Sequence, residues 1–117
     1  MNSISFELIK KLPKVELHCH LDGSLRLNTI IDISKKNKIK LPSYEPTILS
    51  KVISLDKKKV SLEEYIALFD ITLSVMQDES SLERISYELM EDLANDNIYY
   101  AEIRFSPILH TKNGMSI

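Results

Sequence analysis

Two histidines one residue apart, His18 and His20, are the residues of this sequence best suited to metal chemistry. They end a strand-like run, and in an extended strand alternate side chains point to the same face, so both imidazoles can bind one ion. Imidazole nitrogen is a good zinc ligand, and catalytic zinc sites keep one coordination position open for water. The sequence Asp22-Gly23 follows directly, and active-site residues gather where strands end. The pair therefore predicts a metal site rather than two histidines that share a strand by chance.

Five other side chains, near the pair or on and beyond the second predicted strand, bear on its chemistry. Glu16 shares the face of the histidines and, if buried, needs a partner, for which Arg104 is a candidate. Cys19 points to the opposite face and is predicted to be a packing residue under the covering helices. Asp22 either forms a turn with the following glycine or contacts substrate. The third histidine, His110, is predicted to be a loop histidine and not a ligand.

The composition is that of a soluble globular domain with a small-molecule partner. The chain has 117 residues, a formal net charge of -2, 44% hydrophobic and 27% charged residues. This slight acidic balance gives no broad surface for nucleic acid. A single cysteine excludes an internal disulfide, and no apolar run approaches the ~20 residues that cross a bilayer. We therefore expect a cytoplasmic protein with no signal peptide and no membrane or nucleic-acid partner.

The elements that must position these residues begin with a short helix over residues 4–11 and a strand over residues 15–20. Asn28 is expected to cap a helix that runs to Lys36. Residues 37–60 are predicted to form a long loop with a helical turn over residues 47–52. Within that loop the lysines at 57–59 are interpreted as solvated surface without function.

Two capping boxes predict the later helices. Ser61 with Glu64 opens a helix to about residue 75, and Ser80 with Glu83 opens a second helix that ends near residue 95. Residues 98–106 then form the second strand, closed by Pro107. Because helices connect the two strands, they should be parallel neighbours. The predicted class is α/β.

Three segments resemble the adenosine deaminase family, within the metal-dependent amidohydrolases. Val-Glu-Leu-His-Cys-His-Leu-Asp-Gly-Ser at 15–24 is similar to the opening strand and loop of that family. Residues 61–69 resemble its helix that walls the purine pocket, and Tyr-Ala-Glu-Ile-Arg-Phe-Ser-Pro at 100–107 resembles its second strand. The three matches occur in order, which is far more specific than the histidine pair alone.

The resemblance implies a (β/α)8 TIM barrel with one Zn²⁺ that deaminates adenosine and deoxyadenosine to inosine and ammonia, in purine salvage. His18 and His20 match its first two zinc ligands. His20 and Asp22 match positions that lie against the nucleoside, Asp22 at a ribose hydroxyl. The apolar gate over the purine is matched by Leu62, Tyr65, Ile66 and Phe69.

The length departs from the family, because such a barrel takes ~250 residues and only two strands are predicted here. We therefore expect residues 1–117 to be the amino-terminal segment of a single barrel domain and, by themselves, inactive. The remaining ligands and the catalytic acid and base would come from later strands. Three alternatives stay open: a noncatalytic binding fragment that self-associates, a related deaminase of adenine or adenosine monophosphate, and a different amidohydrolase.

Overall fold

Two parallel strands lie side by side and carry the histidine pair at one end. In the computed structural model, which describes residues 4–54 and 61–116, they are β1 (Lys14–His20) and β2 (Ile98–Arg104). His20 lies opposite Arg104 in the register, so both strands end at the same edge. The predicted parallel pairing is confirmed.

Helices make up most of the rest of the described chain. The helices are α1 (Phe6–Lys11), α2 (Leu27–Lys36), α3 (Pro46–Ile53), α4 (Leu62–Ser74) and α5 (Glu79–Asn95), and short 3-10 turns follow each strand at Leu21–Gly23 and Pro107–His110. Within the described ranges, no helix is long and apolar enough to cross a membrane.

Helix α2 begins earlier than predicted, and Asn28 is not its cap. The cap position is Arg26, whose side chain makes no capping bond. Its guanidinium instead binds α5, with Nη2 at 2.5 Å from Asp92 Oδ1 and 2.6 Å from Glu91 Oε2. This contact ties the start of α2 to α5, and local sequence preference cannot reveal it because the two segments are distant in the sequence.

The predicted loop over residues 37–60 contains a full helix, α3, in place of a single turn. Pro46 opens it at a position where the fixed φ of proline suits a helix and its missing N–H is not needed. Leu49 is fully buried and anchors the helix in the core. The lysines at 57–59 lie outside the described residues.

The capping residue of α5 is Asp78, so the predicted box of Ser80 with Glu83 is wrong. Asp78 Oδ1 accepts the Ser81 N–H at 2.9 Å and the Ser80 hydroxyl at 2.8 Å. Its Oδ2 accepts the Ser81 hydroxyl at 2.8 Å and the Asn37 side-chain amide at 3.0 Å. Ser80 lies inside the helix and supports the cap. For the other box, α4 does begin after Ser61, while the side chain of Glu64 lies outside the described residues.

The core lies where α2, α3 and α5 meet the segment that follows α4. Its buried members are Leu21, Ile30, Ile31, Ile33, Leu41, Leu49, Val75, Met76, Ile85, Leu89 and Leu93. Side chains from one face of the sheet pack against this cluster, namely Cys19, Ile98, Ala101 and Ile103. The predicted packing role of Cys19 is confirmed.

Two buried polar side chains attach the turn after β2 to the end of α4. Gln77 donates to the Leu109 carbonyl at 2.9 Å, and its Oε1 accepts the Lys112 N–H at 3.0 Å. His110 Nδ1 donates to the Met76 carbonyl at 3.0 Å, and the residue is 3% exposed. His110 therefore follows the strand as predicted, but it is buried in the structure.

The capping assignment predicts different costs for two neighbouring substitutions. Asp78→Ala removes the acceptor of the Ser81 N–H and should destabilise the protein by about 1 kcal/mol or more. Ser80→Ala leaves that bond in place and should lower the free energy of unfolding by clearly less. Urea denaturation of both variants measures the difference, and an equal loss from Ser80→Ala would restore Ser80 as the cap.

Acid should weaken the contact between α2 and α5. Burial raises the pKa of Glu88, but hydrogen bonds from Thr29 and Arg84 outweigh it and hold that pKa below its usual value. The hydrogen bond from Arg26 lowers the pKa of Asp92, against a smaller effect of burial. Because both pKa values are lower in the folded protein, the unfolded chain binds more protons at acidic pH. The stabilisation from these two carboxylates is therefore fully present above their unfolded pKa values of about 4. It is lost as the pH falls through their lower folded pKa values.

We therefore expect the free energy of unfolding to fall as the pH drops below about 5. Asp92→Asn should show a shallower fall because it removes one of the titrating groups. Urea titrations of both proteins across this range give the slopes, and identical slopes would mean that Asp92 does not contribute.

Candidate metal and substrate site

The two histidines converge at the carboxyl end of β1. Their Nε2 atoms lie 3.0 Å apart, and the ring centroids are 5.0 Å apart. Zinc–nitrogen bonds of about 2.0–2.1 Å at tetrahedral angles separate two ligand atoms by about 3.3 Å. The pair therefore needs only a small adjustment for His18 and His20 to bind one zinc ion through Nε2.

A complete metal site is not formed by the described residues alone. Among residues 4–54 and 61–116 there is no group of three or more histidine, cysteine, aspartate or glutamate side chains placed to hold a metal. Glu16 lines the same cleft as the pair, but its Oε1 accepts the backbone N–H of His18 at 3.0 Å. The geometry thus supplies two ligands, and further ligands would have to come from elsewhere.

The predicted pairing of Glu16 with Arg104 is not found. Arg104 Nη2 donates to Glu102 Oε2 at 3.2 Å and to the Leu17 carbonyl at 3.3 Å. The register explains this, because Glu16 lies opposite Ala101 while Arg104 lies opposite His20. Three residues along a strand separate the two side chains by about 10 Å.

The 3-10 turn after β1 places Asp22 beside His20. Leu21 is 3% exposed and anchors the turn in the core, while the Ser24 hydroxyl donates to the His20 carbonyl at 2.6 Å. Asp22 is 8% exposed, and its Oδ1 lies 3.6 Å from His20 Nδ1. No hydrogen-bond partner for this oxygen is found among the described residues.

Two adjoining cavities surround the turn. The first, of about 470 Å³, contains the histidines and is lined by Glu16, His18, Cys19, His20, Gly23, Ser24, Tyr65 and Phe69. The second, of about 320 Å³, shares Gly23, Tyr65 and Phe69 with it and also contains Asp22. Side chains from α2, α3 and α4 complete the second cavity, and its described lining has no lysine or arginine.

Helix α4 provides the aromatic wall of both cavities. Tyr65 and Phe69 pack edge to face, with ring centroids 5.6 Å apart and an interplanar angle of 76°. Ile66 is 57% exposed and lines neither cavity, so its predicted purine contact stays a prediction. Leu62 begins the helix, but its side chain lies outside the described residues.

Sequence reasoning missed two residues of this wall, Leu68 and Thr72, which line the second cavity. Helical periodicity could have found them, since they stand three and seven residues after Tyr65 and so share its face. Ile66 is the next residue in the sequence and is rotated by about 100° from that face.

Comparison with known proteins identifies the family. The model of the family described as adenosine deaminase matches residues 13–117. This chain belongs to the adenosine deaminase family. Over 108 residues it is 53% identical to adenosine deaminase of Clostridium botulinum strain Hall, covering 92% of this chain and 32% of that protein. Adenosine deaminase of Clostridium perfringens is 47% identical over 105 residues, with 90% and 32% covered. The chain thus spans about a third of the length of these adenosine deaminases.

Solved structures share the fold of this chain. Arabidopsis ADAL complexed with GMP matches with a TM-score of 0.66 and 31% identity, covering 95% of this chain and 32% of that one. The apo N6-methyl-AMP deaminase from Arabidopsis thaliana gives a TM-score of 0.62 at 31% identity, covering 94% and 31%. A zinc-bound amidohydrolase from Burkholderia ambifaria gives 0.71 at 24% identity, covering 95% and 30%, and supports the fold alone. The predicted fold class is confirmed: the chain is the amino-terminal part of a (β/α)8 barrel, with its first two strands.

The shared lining of the cavities predicts a size limit at Gly23. A Cβ there would lie 3.6 Å from Phe69 Cε1 and 3.7 Å from His20 Cβ, which is ordinary contact. Gly23→Ala should therefore keep both stability and ligand binding. Gly23→Leu extends a branched side chain into the cleft and should weaken the binding of a flat aromatic ligand beside Phe69.

Calorimetric titration of the full-length protein measures this binding, with the melting temperature as the control for folding. Equal binding by Gly23→Leu and Gly23→Ala would show that ligand does not enter beside Phe69.

Proposed function

We propose that this chain forms the first part of a zinc-dependent enzyme that converts adenosine and deoxyadenosine to inosine and ammonia. The observation that carries the proposal is the histidine pair, with Nε2 atoms 3.0 Å apart, at the strand end beside an aromatic wall. Membership of the adenosine deaminase family supports the same activity.

His18 and His20 would hold the metal through their Nε2 atoms, because these nitrogens converge on one point. When bound, zinc supplies a water whose pKa is lowered toward ~7, and hence a nucleophile for the amino-bearing carbon of the purine at neutral pH. The histidines fix the position of that chemistry relative to the wall formed by Tyr65 and Phe69.

Tyr65 and Phe69 would bind the purine ring. Their edge-to-face pair offers an apolar surface that favours a flat aromatic ligand and keeps water from it. Tyr65 is 45% exposed, so it has accessible surface to bury against a ligand. Both Tyr65 and Phe69 line the two cavities, so a purine bound against them would lie beside the histidine pair and beside Asp22.

Asp22 would accept a hydroxyl of the sugar. Asp22 is 8% exposed and lines the second cavity, and a buried carboxylate needs hydrogen-bond donors, which a sugar hydroxyl in that cavity would supply. Glu16 adds a second carboxylate to the adjoining cleft. The described linings of the two cavities hold these two carboxylates and no lysine or arginine, which supports a neutral nucleoside over a phosphorylated one.

A deaminase of nucleoside monophosphates is the second candidate. It is favoured by the likeness to Arabidopsis ADAL, which was solved in complexes with GMP and with IMP and is 31% identical to this chain. The carboxylates near the described cavities argue against it, because a phosphate would need cationic partners from outside these residues.

The activity would belong to a longer protein. The described residues provide two metal ligands, and the relatives are about three times as long as this chain. Val15 and Leu17 on β1 are 62% and 58% exposed, as expected for strand residues that another part of a barrel covers. We infer that the missing ligands and the acid and base come from that part, and that residues 1–117 alone are inactive and would self-associate.

An assay of the full-length, zinc-loaded protein tests the proposal. Ultraviolet spectroscopy would follow the conversion of adenosine, deoxyadenosine, adenine and adenosine monophosphate in parallel. We expect the two nucleosides to have the highest kcat/KM, and His18→Ala to lose both zinc and activity.

The isolated 117-residue chain is the matched control and should be inactive. Preference for the monophosphate would replace the proposal with the second candidate. A zinc-replete protein that leaves all four compounds unchanged would refute a purine deaminase.

A further inference from the structure

The carboxylate of Asp22 has a second neighbour besides the substrate cavity. Its Oδ1 lies 3.6 Å from Nδ1 of His20, and among the described residues this oxygen has no hydrogen-bond partner. Asp22 is 8% exposed, so solvent has little access to it. A buried acceptor without a donor is costly, which makes the nearby imidazole nitrogen significant.

The orientation of the histidine pair determines which ring nitrogen of His20 does not face the metal position. The Nε2 atoms of His18 and His20 point at each other, 3.0 Å apart, and would both bind the metal. A neutral imidazole that binds metal through Nε2 carries its proton on Nδ1. In His20 this Nδ1–H faces the carboxylate of Asp22.

We propose that Asp22 is a positioning residue for the metal ligand His20. Its Oδ1 would accept the Nδ1–H of His20, which fixes the tautomer and the ring orientation and strengthens zinc binding. Hydrogen bonds of this kind from a ligand histidine to a carboxylate are a general means of tuning metal affinity. The inference rests on the proposed zinc site, and it leaves Oδ2 of Asp22 for the sugar hydroxyl.

The surrounding structure holds the carboxylate in place while the imidazole can adjust. Leu21 is buried beside Asp22, and the Ser24 N–H donates to the Leu21 carbonyl at 3.1 Å, so the turn is fixed. The His20 side chain is 53% exposed and can rotate. Closing the gap from 3.6 Å to a hydrogen bond of about 2.9 Å needs a movement of less than an ångström.

The alternative acceptor on this face is already engaged. Glu16 Oε1 accepts the backbone N–H of His18 at 3.0 Å. Within the described ranges, His20 is the histidine of the pair that has a carboxylate oxygen within 4 Å of a ring nitrogen. The two ligands are therefore supported differently, and loss of Asp22 should act through His20.

The test is the zinc dissociation constant of the full-length protein, measured by competition with a chromophoric chelator in the absence of substrate. Asp22→Ala should weaken zinc binding by about 10–100-fold. Asp22→Asn keeps an acceptor oxygen but loses the charge, so its loss should be intermediate. The matched control is Asp32→Asn, which changes an exposed carboxylate paired with Arg84 and should leave zinc affinity unchanged.

A second readout separates positioning from substrate contact. If Asp22 contacts only the sugar, both variants will raise KM for adenosine and bind zinc as tightly as the unmodified protein, which would overturn the inference. If Asp22→Ala does not fold, the zinc dissociation constant of Asp22→Asn decides: weaker zinc binding supports the inference, and unchanged binding overturns it. Zinc binding is measured without substrate, so a failed deaminase assay would refute the proposed function, while the zinc dissociation constants would still test the role of Asp22.

Discussion

The burial of Leu21 is the constraint on which the site depends. This side chain follows the second histidine directly and is 3% exposed in the core. Leu21 opens the 3-10 turn that follows β1, and its burial holds that turn in the core, with His20 lining the cleft and Asp22 lining the neighbouring cavity.

Contacts between the helices hold the aromatic wall of α4 beside this turn. Helix α4 is attached at its carboxyl end through Gln77, which bonds to the turn after β2. Helices α2 and α5 are joined by the ion pairs of Arg26 and by the Thr29–Glu88 hydrogen bond of 2.5 Å. The Gln77 and Thr29–Glu88 bonds are partly buried, whereas the ion pairs of Arg26 are exposed and so add little to stability.

Local sequence signals predicted the order and type of most elements. Strand-like composition identified β1 and β2, and helical spacing of apolar residues identified α4 and α5. The signals failed at helix starts. Asp78 and Ser80 are both good caps by residue type, and only the contacts of Asp78 with Ser81 and Asn37 decide between them. The residue before α2, Arg26, bonds to Asp92 of α5, sixty-six residues away, and no local signal predicts that contact.

The sequence by itself determined the chemistry of the site: a His-x-His pair on one strand face, followed by a carboxylate in a turn, is encoded by spacing alone. It also determined the parallel pairing, since helices join the strands. Tertiary structure decided which charges meet. Register separated Glu16 from Arg104, and folding of the turn brought Asp22 within 3.6 Å of His20. Such distances depend on how separate elements pack, and no local pattern of residues contains them.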